Sequence, residues 1–116
     1  MNIVSRHVEH VLTSYVERHN SGVRSRDFTA MLELFAADAV VIFHDIAIGP
    51  FRGDEIAAAF RRSPPDDEIV LIGNAAVGDS QIESDYAWSR SRQRRGGRLR
   101  ISSLNGAIAK LEIWAK

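Results

Sequence analysis

Residues 39–53 read Ala-Val-Val-Ile-Phe-His-Asp-Ile-Ala-Ile-Gly-Pro-Phe-Arg-Gly, which sets His44 and Asp45 as two titratable side chains inside an apolar run. Enclosing a carboxylate among Phe43, Ile46 and Ile48 strips its hydration and disfavours its charged form. That is the setting a general base near neutral pH requires. The alternative is that Asp45 ends a strand and faces water. Tyr15 is the second candidate, a long polar tip on the inward stripe of a helix. It either packs with its hydroxyl on a protein partner or donates a hydrogen bond into a cavity. Strand alternation places Phe43 and Asp45 on one face and His44 on the opposite one. If that face meets the helical stripe carrying Tyr15, the result is an apolar pocket with two polar groups, the usual form of a small-molecule site. His19, Met31 and Trp88 are further candidates for its lining.

Several elements have to position these groups. Over residues 3–20, Val4, Val8, Val11, Leu12, Tyr15 and His19 recur at helical steps, with Arg6, Glu9, Glu17 and Arg18 mostly opposite. Asn20-Ser21-Gly22 is expected to end this helix, Gly22 serving as a left-handed cap. A second helix should start near Ser25 or Asp27, either of which can cap it, and bury Phe28, Met31, Leu32 and Phe35. Val40 to Phe43 is a strong β-former, and Gly49-Pro50 and Gly53 hand over to a third helix. That helix opens on Asp54-Glu55, favourable for its dipole, and Ser63-Pro64-Pro65 stops it after Arg61 and Arg62. The rest is strand-like. Residues 68–77 form a strand bent at Gly73, and 81–91 form the next, with Ser84, Tyr86, Trp88 and Arg90 on one face. Arg94-Arg95-Gly96-Gly97 makes a hairpin tip. Residues 98–104 and 107–115 flank Asn105-Gly106, a strong hairpin signal. Helices followed by an antiparallel meander indicate an α+β fold, and there is no internal repeat or linker.

Composition narrows the function. The 116 residues make one domain, 1–116, with 45% apolar and 26% charged side chains, ordinary for a globular protein. Fifteen basic residues balance fifteen acidic ones, so nothing global points to nucleic acid or an anionic membrane. The absence of cysteine excludes disulfides, thiolate metal sites and thiol nucleophiles. No apolar run approaches a membrane span, and the first residues lack the layout of a signal peptide. A cytoplasmic protein is the expectation. His7 and His10, three apart on a helix, could support a metal, but no third ligand accompanies them, so no metal is assigned. Arginines at positions 90, 92, 94, 95, 98 and 100 read either as an anion patch or as a solvated hairpin whose charge Glu83 and Asp85 offset across the sheet; the hairpin is the better reading. There is no Gly-rich phosphate loop, Ser103 lacks a nucleophile-elbow context, and nothing supports a nucleotide cofactor.

Four strings, Tyr15-Val16-Glu17-Arg18-His19-Asn20-Ser21-Gly22, Leu34-Phe35-Ala36-Ala37-Asp38-Ala39-Val40, Phe51-Arg52-Gly53-Asp54-Glu55-Ile56 and Asn105-Gly106-Ala107-Ile108-Ala109-Lys110-Leu111-Glu112-Ile113-Trp114, span nearly the whole chain in order. Together they resemble the nuclear transport factor 2-like superfamily, in its SnoaL-like and ketosteroid-isomerase-like branch. The resemblance implies a cone, a curved antiparallel sheet wrapped around about three helices from the N-terminal half, with an internal pocket. It also implies a cofactor-free protein, a small apolar polyketide-like or steroid-like ligand, and a homodimer through the sheet. In ketosteroid isomerases a first-helix tyrosine donates to the developing oxyanion, and Tyr15 matches that place. The base is an aspartate after the first strand, where Asp45 or its neighbour His44 falls. The family's second oxyanion donor, an acid on a late strand, falls near Arg100, Ile101 and Ser102, none of them acidic, which weighs against a steroid isomerase proper. The stretch from Phe43 to Gly53 also resembles limonene epoxide hydrolase. Phe43 and Asp45 replace its tyrosine and asparagine, however, and its Arg/Asp pairing has no counterpart around Ser84–Tyr86.

Two functions remain open at this level. One is an enzyme in which Asp45 abstracts a proton from a small carbonyl compound and Tyr15 stabilises the enolate, with Phe43, Met31 and Trp88 as apolar walls. The other is a non-catalytic ligand-binding or dimerisation module on the same fold.

Overall fold

The structure, a computed structural model, describes residues 3–115; the side chains of Val4 and Arg6, assigned above to opposite helix faces, lie outside what it describes. Helix α1 spans Ile3–Ser25, and its stripe of Val8, Val11, Leu12, Tyr15 and His19 is buried. The helix does not end at Asn20-Ser21-Gly22. Gly22 lies within the helix, where the Phe28 ring comes so close that any Cβ would collide with it. The left-handed position falls instead on Arg26, φ +65°, whose N–H donates to the Gly22 carbonyl at 2.7 Å.

Helix α2 is a single turn, Thr29–Leu32, shorter than the stripe through Phe35 suggests. Asp27 starts it by accepting the Thr29 N–H at 3.0 Å and the Thr29 hydroxyl at 2.6 Å. It stops early because the next residues find a sheet partner. Strand β1 covers Phe35–Phe43, Phe35 pairs with Ile108, and the Ile108 N–H donates to the Leu34 carbonyl at 2.8 Å. Tertiary pairing has overridden local helical preference. A short strand, β2 (Phe51–Arg52), follows and pairs with β1. Helix α3 occupies Asp54–Arg62.

Strands β3 (Ile69–Val77), β4 (Gln81–Trp88), β5 (Gly97–Leu104) and β6 (Ala107–Trp114) complete the sheet, with a 3₁₀ turn at Ser89–Ser91 cutting β4 short of residue 91. The spatial order is β2-β1-β6-β5-β4-β3. Neighbours are antiparallel except β1 and β6, which run parallel. Asn105 and Gly106, at φ +52° and +83°, form the tight β5–β6 hairpin. The ladder slips between Phe35 and Val40, between Ile72 and Ala76 where Gly73 sits, and between Ser102 and Ser103. Such irregularities bend a sheet, and this one is open and curved.

Its concave face meets the helices. Met31, Ile82, Leu99, Ile101, Ile108, Leu111 and Val8 are the largest fully buried side chains. The opposite, outer face carries the charged rows. No helix among the described residues is long and apolar enough to cross a membrane.

Candidate functional site

Between the concave face, α1 and α3 lies a cavity of about 590 Å³. Its wall is mostly hydrocarbon, from side chains such as Val41, Phe51, Ile56, Leu99, Leu111 and Ile113. Tyr15, His19, Tyr86 and Trp88 bring polar atoms to it, and Arg62 and Ser63 stand where α3 ends. Ile46 and Ile48 also line it, and they are 41% and 49% exposed, which marks the loop after β1 as part of the rim.

Tyr15 is buried through its helical register, with the Phe35 ring edge-on at 6.3 Å. Among the described residues its hydroxyl makes no hydrogen bond, and Ser102 Oγ is the one fully enclosed side-chain polar atom without a partner. The Tyr15 hydroxyl is therefore reached from the cavity. Burial pushes its pKa far above the usual phenol value, and the nearby Tyr86 phenol adds to this. Tyr15 thus keeps its proton and acts as a donor. Tyr86 is raised as well, first by burial and then by the Asp45 charge, against an opposing effect of Arg95.

His19 is 2% exposed. Its Nδ1 lies 3.0 Å from Asn20 Oδ1. Asn20 Nδ2 donates to the Ile69 carbonyl at 2.9 Å, and Asn20 Oδ1 accepts the Ile69 N–H at 2.8 Å. Burial lowers the His19 pKa, partly offset by the Asn20 hydrogen bond and the Glu68 charge, so the ring is neutral at neutral pH.

The other sequence candidates are distributed differently. Phe43 and Trp88 line the cavity with Tyr15 and His19. Met31 does not: it is wholly enclosed in the core, on a turn that packs against α1, and is absent from the cavity wall. Asp45 falls past the end of β1, is partly exposed, and accepts the Ala115 N–H at 2.8 Å. It is not part of the cavity wall, since capping the end of β6 draws its carboxylate to the rim. His44 projects from the outer face. Its Nε2 lies 2.9 Å from Glu112 Oε2, and its ring stacks on Trp114 at 4.3 Å and 8°. The chamber shared by Tyr15 and a carboxylate is thus replaced by one shared by Tyr15, His19 and Tyr86.

The arginine-rich hairpin is bound up in ion pairs across the outer face. Arg98 reaches Asp85 at 3.2 Å and Glu83 at 3.6 Å, Arg95 reaches Asp85 at 3.2 Å, and Arg90 lies 3.9 Å from Asp66. Arg100 makes two bonds to Glu112, 2.9 and 3.0 Å. Among the described residues no group of three or more His, Asp or Glu side chains is placed to hold a metal ion.

Sequence reasoning passed over Tyr86 and Asn20 as site residues. Period-two alternation with Ile82, Ser84 and Trp88 was a usable signal for Tyr86. Nothing local marks Asn20, whose partner Ile69 is 49 residues away.

Six curved strands over three helices, with a cavity between, make an α+β cone with the architecture of the nuclear transport factor 2-like fold. Solved structures bear this out. The chain superposes on an NTF2-like protein of unknown function from Burkholderia xenovorans with a TM-score of 0.75 at 12% identity, covering 99% of this chain and 88% of that one. A candidate ketosteroid isomerase from Kribbella flavida gives 0.70 at 10% identity, over 97% and 79% of the two chains. A candidate polyketide cyclase from Xanthomonas campestris gives 0.68 at 17%, over 97% and 93%. No family model matches the chain, and no curated protein matches it in sequence. At these identities the likeness establishes the fold.

Proposed function

We propose that the cavity takes a small, largely apolar compound bearing a carbonyl group, and that the protein carries out cofactor-free proton-transfer chemistry on it, of the isomerase, cyclase or lyase kind. The observation that carries this reading is the 590 Å³ apolar chamber into which a buried, unpartnered phenol opens. An apolar enclosure with a few convergent polar groups is the common form of a small-molecule site. Removing a proton next to a carbonyl drives negative charge onto its oxygen, and a fixed donor in a water-poor site stabilises that charge strongly. Tyr15 is such a donor. Neighbours described as a candidate ketosteroid isomerase and a candidate polyketide cyclase lend support by analogy of fold.

The test uses β-tetralone, an apolar ketone with acidic α-hydrogens, in heavy water. Wild-type protein is expected to speed replacement of those hydrogens by deuterium, followed by proton NMR. Tyr15→Phe should slow that replacement about 100-fold, the typical loss for one oxyanion donor. Exchange at the buffer rate with the wild-type protein would remove the enzymatic reading.

A second reading, a non-catalytic binding module, is favoured by one observation: Asp45, which the family pattern would make the base, is engaged with the Ala115 N–H. It predicts saturable binding of β-naphthol without exchange of β-tetralone. The resemblance also supports a homodimer through the outer face, where Val40 and Ile42 on β1 adjoin Lys110 and Glu112 on β6; sedimentation equilibrium measures this directly.

A further inference from the structure

The side chain of Asn20 fixes which nitrogen of His19 carries the proton. A backbone N–H only donates and a backbone carbonyl only accepts. The paired bonds to Ile69 therefore settle the Asn20 amide, with Nδ2 toward the Ile69 carbonyl and Oδ1 toward the Ile69 N–H. Oδ1 is also the atom 3.0 Å from His19 Nδ1. An amide oxygen accepts and cannot donate, so Nδ1 carries the hydrogen. In the neutral ring Nε2 is then left with a lone pair. Nε2 makes no hydrogen bond among the described residues, yet it is not among their fully enclosed unpartnered atoms. His19 lines the cavity and has little accessible surface elsewhere to account for it, which places this lone pair toward the cavity.

Tyr15, one helical turn earlier, presents a donor to the same space, its ring 6.0 Å from that of His19. The chamber thus holds an adjacent donor and acceptor, neither of them hydrogen-bonded among the described residues. We infer that His19 is the proton-accepting residue of the cavity, positioned by Asn20, and that the ligand belongs to the enols, phenols and enolisable ketones, which offer an acidic hydrogen to Nε2 and an oxygen to the Tyr15 hydroxyl. The inference rests on the ligand-binding reading of the cavity given above. With an enolisable ketone, the α C–H bond breaks and its hydrogen bonds to Nε2. The C–H electron pair becomes the enolate double bond, and the carbonyl pair moves onto oxygen, where Tyr15 donates. The Nε2 hydrogen exchanges with heavy water that enters the cavity. A deuteron then returns from Nε2 to carbon as the oxygen pair re-forms the carbonyl and the enolate double bond supplies the new C–D pair, with no oxidant, reductant or second substrate.

The surroundings of His19 suit a neutral base. Tyr15 on α1, Phe28 and Trp88 on β4 place their rings 6.0, 6.2 and 6.3 Å from its own. The nearby charges are Glu68, just before β3, and Arg24, paired with each other at 2.6 Å. Tyr86 faces the same cavity, as does Arg62 at its rim.

Nitrogen NMR of the histidine ring tests the tautomer without any ligand. The Nδ1–H form is expected in the wild-type protein, and an Nε2–H form would overturn the assignment. Adding β-naphthol should shift the Nε2 signal, and His19→Gln should weaken β-naphthol binding about tenfold, the worth of one buried hydrogen bond. The same variant should slow deuterium exchange into β-tetralone at least as much. Equal binding and exchange in His19→Gln and wild type would overturn the role of His19 alone. Failure of wild-type protein to bind β-naphthol would overturn the cavity reading along with it. Asn20→Asp retains an acceptor for Nδ1–H and adds a negative charge. It should preserve the tautomer and move the lower limb of the exchange-versus-pH profile upward, which a purely structural role for Asn20 would not do.

Discussion

The two faces of strand β6 handle polar groups in opposite ways. Outward, Glu112 is bound on both carboxylate oxygens, by Arg100 and by His44, while Trp114 lies between the His44 ring and the Arg100 guanidinium at 5.1 Å. Inward, Leu111 and Ile113 face a chamber in which the Tyr15 hydroxyl and one His19 nitrogen make no hydrogen bond among the described residues. Buried polar groups normally find partners, and those that do not call for an explanation. The paired polarity around Glu112 reads as structure. Unsatisfied polarity on the inside reads as function.

Substitutions of the polar groups on the two faces should therefore separate stability from ligand handling, whereas apolar core positions serve stability on either. The largest loss of stability is expected from Leu111→Ala, which empties a wholly buried position and should cost about 3 kcal/mol in urea denaturation. Glu112→Ala on the outer face strands Arg100 and His44 and should cost about 2 kcal/mol, while leaving β-naphthol affinity unchanged. Altered affinity in that variant would show the faces to be coupled. Tyr15→Phe is expected to shift stability by less than about 0.5 kcal/mol, because its hydroxyl makes no hydrogen bond among the described residues. A large destabilisation would mean that the hydroxyl is a structural group after all. Arg98→Ala breaks exposed pairs and should leave the denaturation midpoint unmoved.

Acid titration divides the same two faces. Arg100 and, after the opposing effect of burial, His44 hold the Glu112 carboxyl below its ordinary range. Its contribution to stability is present above about pH 4.5 and lost as the pH falls through the lower folded value. His19 is lowered by burial. As the pH drops below about 6.5, the unfolded chain takes up the proton first, so stability declines from there toward the folded value. His19→Gln should abolish the decline that begins near pH 6.5, and Glu112→Gln the one at lower pH, as followed by thermal melts.

Much of the fold was legible in the chain. The α1 stripe, the acid-rich start of α3, the bend at Gly73 and the Asn105-Gly106 hairpin each depend on residues a few positions apart. Alternation along β1 correctly put Phe43 inward and His44 outward. The early halt of α2 was hidden, because Phe28 to Phe35 keeps a helical rhythm while a strand from the far end of the chain claims Phe35. The candidate site was half visible for the same reason. Tyr15, His19, Phe43 and Trp88 follow from periodicity, but their hydrogen-bond status does not.

Periodicity and turn chemistry in the sequence alone thus determined the order of elements, the faces they bury and the apolar character of the chamber. Only the tertiary structure decided which polar groups are spent and which are spare. Asp45 is occupied by a backbone N–H 70 residues away, and His19 is oriented by an asparagine anchored 49 residues away. Such pairings exist only once distant strands are brought together, because a hydrogen bond is decided by ångströms of separation that no local pattern encodes.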